Sequence, residues 1–405
     1  EDTTRAVFEQ YGYRLMRTPV VEPTALFVRS IGEATDIVEK EMYAFEDSMN
    51  GERLALRPEA TAGLVRAAIE HNLLYDGPKR IWTWGPMFRH ERPQKGRYRQ
   101  FHQFDVEALG FAGPDVDAEQ ILMLDRLWRR LGFRDVVLHV NSIGDAPARK
   151  SHRDALVAFF EAHFDQLDED AKRRLHTNPL RTLDTKNPAM QSLVERAPKL
   201  SEYLGDAEKA HFAGLLQRLD AAGLRYVVNA RLVRGFDYYN RTVFEFVAKG
   251  PDWELTIAGG GRYDGLFAEL GGKPAPSCGF GMGVERVLML LGPQADIAVP
   301  DAYVVWGDGL QLAAQQAAEG LRNFGLNVIC HAAQDGGSAS IKAQMKKADA
   351  SLARFAIILG PDEDASGMVS VKPLRFSGEQ ALMPPGAAAA HLLESRGALK
   401  ATAQP

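Results

Sequence analysis

Four arginines and a lysine fall within the eleven residues 89–99 of this chain, inside the run GPMFRHERPQKGRYRQFHQFDVE that spans 85–107. Arg89, Arg92, Lys95, Arg97 and Arg99 have Glu91 as their local counter-charge. Forked guanidinium donors suit phosphate oxygens and carboxylates. The alternation of Phe101, Gln103 and Asp105 marks a strand returning beneath this loop, and it brings an aromatic face and an amide to the root of the hairpin. Cations at the tip with a ring at the root fit a nucleotide, held by its phosphates and stacked through its base. A solvated basic loop has the same composition, so the pattern needs support from elsewhere in the chain.

Three further segments carry chemistry. In PSCGFGMGVERVLML, 276–290, small residues precede an apolar helix that bears Arg286; such glycines let a backbone approach a ligand closely, although a glycine-rich strand packed on a helix has the same pattern. In LVRGFDYYNRTVFEF, 232–246, Arg234 precedes the pair Tyr238 and Tyr239, and a buried tyrosine hydroxyl needs a partner that an imidazole can supply. Alternation along a strand would instead send one of the two tyrosines to the surface. The segment LRPEAT, 56–61, offers Glu59 and Thr61, and Glu107 closes the hairpin strand; an ionised carboxylate selects for an N–H donor. No GxxxxGK[ST] phosphate loop occurs, so side chains must do the anion binding. The ten histidines show neither HxxxH nor HExxH spacing, and no structural zinc is expected.

These residues need a scaffold. The 405 residues, 45% hydrophobic and 25% charged, suffice for two or three domains. A formal net charge of -5 argues against indiscriminate nucleic-acid binding, so RNA contact would depend on local basic patches. Cys278 and Cys330 form no CxxC or zinc pattern, and neither a membrane-length apolar run nor a signal-peptide pattern is present; a cytoplasmic setting is expected. Helical spacing over 3–11, 61–71 and 117–131, with strands over 13–23, 52–58, 80–84 and 101–109, predicts an α+β fold with a mainly antiparallel sheet. Residues 151–222 are helical in pattern, strand signals return at 226–229 and 242–247, and 292–300 has the composition of a linker before a βαβαβ-like tail ending in a helix. In that tail Lys342, Lys346 and Lys347 share a helical sector, the pattern of a solvated face or of an RNA contact.

The segment FRHERPQKGRYRQFHQ resembles the second signature motif of class II aminoacyl-tRNA synthetases in its histidyl form. LVRGFDYYN and AGGGRYDGL resemble the two blocks specific to histidyl-tRNA synthetases, and 276–290 is similar to the third class II motif. The resemblance implies a class II antiparallel-sheet catalytic core in two parts, 1–145 and 226–295, a helical insertion over 146–225 and an α/β anticodon-binding domain over 301–399. It implies that Arg89 and Arg234 are catalytic at the α-phosphate, and that L-histidine is held by Glu59, Thr61, Arg89, Gln103, Glu107, Arg234, Tyr238 and Tyr239. ATP would meet Arg89, Glu91, Arg97, Phe101 and Arg286, with Mg2+ on its phosphates. Arg92, Gln94 and Lys95 would meet the acceptor end of tRNA(His), and the first motif, helix, strand and Pro19, would build a homodimer. The family has glycine at Ala60 and leucine at Phe236. The pattern also starts partway into the family's first segment, so residues upstream are expected. A paralogue that senses histidine, the regulatory subunit of ATP phosphoribosyltransferase, shares the core; it lacks the tail and tends to lose the arginines, all of which are present here.

Overall fold

In the computed structural model, residues 1–405 are described except 33, 34, 36, 178, 186, 233, 251–252, 293–298, 333–339 and 403–405. They divide into two compact units, Glu1–Gly292 and Pro293–Pro405. The expected linker at 292–300 lies largely outside the described residues.

The first unit is built on an eight-stranded sheet in the order Arg14–Leu15, Lys79–Phe88, Gln100–Leu109, Ser277–Gly283, Trp253–Arg262, Asn240–Gly250, Val136–Ser142, Tyr226–Val228. The six central strands pair antiparallel and the two edge strands pair parallel. Strand alternation divides the sheet into two faces. Phe104, Val106 and Ala108, with Cys278, Phe280 and Met282, enter one core beneath helices Asp2–Gln10, Pro114–Arg130 and Asp206–Ala221, where Phe8 meets Trp82 edge-on at 5.6 Å. Residues Gln103, Asp105 and Glu107 therefore face the opposite side, beside a second core that contains Leu64 and Val65 of helix Thr61–Glu70.

Three sequence expectations change. The strand expected over 13–23 is two: Arg14–Leu15 joins the large sheet, while Val21–Pro23 pairs with Arg53–Leu56 in a separate three-stranded sheet. Pro19, which has no N–H to give a ladder, falls between them. The helical region forms its own core around Leu156, Phe160, Met190 and Leu193, yet helix Asp206–Ala221 sends Leu215 and Leu219 into the main core. The tail has the expected parallel strands Val328–Cys330, Ala302–Trp306 and Phe355–Leu359, and it adds antiparallel Val369–Pro373 and Ala381–Met383. Its last helix, Pro385–Thr402, packs through Ala388, Ala389 and Leu392.

Candidate active site

The site is a consequence of two neighbouring strands with opposite needs. The register places Gly279 beside Glu107, Gly281 beside Asp105 and Gly283 beside Gln103. In SCGFGMG the large residues point to the helical core, and the other face carries Ser277 followed by three glycines. A Cβ at Gly279 would stand 1.7 Å from Glu107 Oε2, and one at Gly281 would stand 2.9 Å from Asp105 Oδ1. Polar side chains on one strand thus require absent side chains on the next. The next strand repeats the device: a Cβ at Gly259 would lie 2.6 Å from Arg234 Nη1.

The result is a cavity of about 280 Å³ above the glycines, lined by Glu59, Thr61, Arg89, Glu91, Arg97, Phe101, Gln103, Asp105, Arg234, Tyr238, Tyr239 and Arg286 among others. Arg89 donates from Nε to the Pro58 carbonyl at 2.9 Å, and its guanidinium lies over the rings of Phe101 and Phe236 at 5.2 and 5.7 Å. Glu91 stands 3.9 Å from Arg89 and 3.5 Å from Arg97. Arg234 pairs with Glu245 and lies over Tyr239 at 5.8 Å. Arg286, in helix Val284–Leu291, donates to the carbonyls of Gly96 at 3.1 Å and Thr256 at 2.8 Å, so the glycine-rich segment holds the hairpin loop as well as bordering the cavity.

The tyrosine pair corrects the strand reading. Tyr238 and Tyr239 lie in a turn before strand Asn240–Gly250, so alternation does not separate them; both are buried, with ring centroids 4.6 Å apart. Glu59 accepts from the amides of Thr61 at 2.7 Å and Ala62 at 2.9 Å, which ties it to the start of helix Thr61–Glu70. Ala60 is fully buried there. Glu107 is not among the cavity-lining residues: it is buried behind the wall, where it accepts from Thr61 Oγ1 at 2.6 Å and from the Tyr263 hydroxyl. Burial pushes the Glu107 carboxyl well above the ordinary range against these two bonds. Arg92, Gln94 and Lys95 are exposed in the hairpin loop, away from the cavity lining, with Gln94 and Arg97 exchanging backbone hydrogen bonds.

Four residues at or behind the cavity were given no site role from the sequence. Asp105 and Glu245 line the cavity, and Tyr263 holds Glu107. Glu285 accepts from the His102 amide at 2.9 Å and meets its ring Nδ1 at 2.9 Å, fixing the hairpin to the helix. The signal for Asp105 was available, because it lies two residues from Gln103 and so on the same strand face. Among the described residues, no group of three or more His, Cys, Asp or Glu could hold a metal ion.

An antiparallel sheet that presents four arginines, aromatic rings and carboxyl groups to one cavity above a glycine-rich strand is the catalytic fold of a class II aminoacyl-tRNA synthetase. The family model for histidyl-tRNA synthetase matches residues 1–287. The chain is 58% identical over 386 residues to a histidine-tRNA ligase of Burkholderia mallei (strain NCTC 10229), covering 94% of this chain and 86% of that one. It is 55% identical over 405 residues to a histidine-tRNA ligase of Cupriavidus taiwanensis, covering 98% and 89%. Among solved structures it is similar to apo S. aureus histidyl-tRNA synthetase, with a TM-score of 0.79, 33% identity and coverage of 96% and 94%. An ATP phosphoribosyltransferase regulatory subunit/histidyl-tRNA synthetase from Bacillus halodurans, at 20% identity and a TM-score of 0.62, shares the fold. The chain belongs to the histidyl-tRNA synthetase family.

Proposed function

We propose that the chain attaches L-histidine to tRNA(His) through a histidyl-adenylate, as its family and its histidine-tRNA ligase relatives imply. The observation that carries the mechanism is the convergence of Arg89, Arg234 and Arg286 from separate segments on one cavity that Tyr238, Tyr239, Gln103 and Asp105 also line. The histidine carboxylate attacks the α-phosphorus of ATP and pyrophosphate leaves. Arg89 and Arg234 neutralise charge on the α-phosphate during attack, and their preformed contacts leave little to reorganise. Phe101 stacks on the adenine, Glu91 and Arg97 flank the nucleotide, and Arg286 faces the γ-phosphate. A terminal ribose hydroxyl of the tRNA then attacks the acyl carbon and releases AMP.

Glu59, Thr61, Gln103, Tyr238 and Tyr239 border the amino acid, with Glu107 behind Thr61. Glu107, held by Tyr263, acts on the imidazole through Thr61, its partner at the cavity. Arg92, Gln94 and Lys95 are placed for the acceptor end, and exposed Lys342, Lys346 and Lys347 on helix Ile341–Ala350 are placed for the anticodon. The described residues do not fit a protein cage for magnesium, so Mg2+ enters on the nucleotide's phosphates and no step here is assigned to it. A homodimer through the first motif and a cytoplasmic location complete the reading; among the described residues no helix is long and apolar enough to cross a membrane. Histidine-dependent ATP–pyrophosphate exchange, followed by charging of a tRNA mixture, is the test. Histidine binding without exchange or charging would favour a histidine-sensing role instead.

A further inference from the structure

A second cavity, of about 270 Å³, lies on the other face of the large sheet from the candidate active site. Alternation fixes that placement: Glu245 lines the site, whereas its neighbour Phe246 enters the helical core and borders this cavity. The walls are Trp128, Phe133, Val136, Leu138, Leu224 and Phe246, brought together by helix Pro114–Arg130, strands Val136–Ser142 and Asn240–Gly250, and the segments that lead into strands Val136–Ser142 and Tyr226–Val228. Phe133 is stacked on Trp128 with centroids 6.0 Å apart, and Phe246 meets the Trp128 ring edge-on at 5.9 Å. A flat apolar body suits such walls.

The polar groups at this cavity are one-sided. Trp128 is 2% exposed, and its indole Nε1 is enclosed without a hydrogen-bond partner. Arg134 and Arg225 line the cavity from separate loops; both are exposed, and among the described residues neither makes a hydrogen bond or an ion pair. The carboxylate of Asp125 is already paired with Arg129. An indole N–H and a guanidinium donate and never accept, so the free side-chain groups here call for an acceptor that carries negative charge. A buried polar group without a partner is the exception in folded proteins, and a bound molecule is one way to complete it.

We propose that this cavity binds a small organic monocarboxylate with an aromatic body, its ring against Trp128, Phe133 and Phe246, its carboxylate accepting from the Trp128 indole N–H, and Arg134 and Arg225 supplying the counter-charge. The volume sets the size: it falls just below the range of about 300–1,000 Å³ usual for drug-sized ligands, which leaves room for one ring and a short chain. A cationic ligand finds no free carboxylate among the lining side chains, and a hydrocarbon leaves the indole N–H unfilled. The assignment is independent of what the candidate active site binds.

The test uses the full chain labelled with 5-fluorotryptophan, whose five tryptophans give separate fluorine resonances, and 3-phenylpropionate as the probe. Trp128→Phe identifies the Trp128 resonance by its loss. 3-Phenylpropionate is expected to shift that resonance most, with a dissociation constant on the order of 0.1–1 mM, and its uncharged isostere 3-phenylpropionamide is expected to bind about 10-fold more weakly. Arg134→Ala combined with Arg225→Ala alters exposed side chains alone and should bring the carboxylate down to the affinity of the amide. The proposal is overturned if no tryptophan resonance moves at about 10 mM probe, far above the expected dissociation constant, or if the resonance that moves most survives in Trp128→Phe. It is equally overturned if amide and carboxylate bind alike, or if the double variant keeps the wild-type affinity. Should Trp128→Phe fail to fold, the double variant still decides, because Arg134 and Arg225 are exposed and line this cavity.

Discussion

Asp117 and Asp105 are both buried aspartates in the same unit, 1% and 4% exposed, yet one titrates at about 2 and the other at about 8. Burial opposes ionisation in both. At Asp117 it is outweighed, because His211 Nε2 lies at 2.7 Å, Thr242 Oγ1 donates at 2.8 Å and the Arg262 guanidinium donates from two nitrogens, while Arg262 itself is completed by Asp264 and the carbonyls of Phe111 and Gly113. Helix Pro114–Arg130, helix Asp206–Ala221 and two sheet strands meet at that hub. At Asp105 the nearest formal charges are mixed and no hydrogen bond completes the carboxyl. The difference teaches what decides a buried carboxylate's charge: at Asp117 a completed hydrogen-bond network outweighs burial and ties helices to the sheet, whereas at Asp105 burial prevails.

Breaking the satisfied hub should have the largest effect. Asp117→Asn leaves Arg262 buried with half its counter-charge removed, and a loss of about 3–5 kcal/mol is expected in denaturant unfolding of the first unit. The pH sign follows from the depressed value: the contribution of Asp117 is complete above its usual 3.8 and is lost as pH falls through about 2, so wild type and variant should converge in strong acid. A variant with an unchanged unfolding midpoint would mean that the hub is incidental.

Arg234→Ala tests the site side of the comparison, since it should spare the fold and damage the chemistry. A fall of about two to three orders of magnitude in single-turnover adenylate formation is expected, with a much smaller change in direct histidine binding. Normal activation would make Arg234 a structural partner of Glu245. Glu107→Gln comes next, because Glu107 lies between the two extremes: buried and bonded, but with one partner, Thr61, at the cavity. Its replacement should weaken histidine use by about 1.5–3 kcal/mol while leaving the ATP dependence nearly unchanged. Equal losses for both substrates would place Glu107 with Asp117 as scaffold.

The cationic half of the site was legible in the sequence only in part: the basic loop that carries Arg89 and Arg97 has the composition of a solvated loop, and Arg234 and Arg286 entered through resemblance. Its acidic half was likewise legible only in part. Glu59 and Glu107 entered through resemblance; Asp105 shares a face with Gln103 by simple alternation, but the room it has beside Gly281 depends on a long-range pairing that no local pattern displays. The glycines of 277–283 were ambiguous for the same reason: their purpose is the bulk of the neighbouring strand's side chains. Tyr238 and Tyr239 were drawn into a strand because the turn at their position is built by residues 235–238 without a proline or a left-handed glycine to announce it. The two last strands of the C-terminal unit are short and take their stability from pairing with Phe355–Leu359 and with each other.

The smallest expected effect concerns Asp105 in the absence of ligand. In the folded chain its carboxyl keeps its proton up to about 8, whereas in the unfolded chain it ionises near 3.8. Its raised value is therefore a stability contribution that is complete below 3.8 and is lost as pH rises through 8. Asp105→Asn cannot ionise and escapes that loss. At pH 9 the variant should be the more stable protein by about 1–2 kcal/mol, below the linkage ceiling because solvent entering the cavity softens the penalty, and the gap should close towards pH 4. Thermal unfolding across that range reads it directly. A variant less stable than wild type at every pH would instead show that Asp105 is already satisfied without substrate, as Asp117 is.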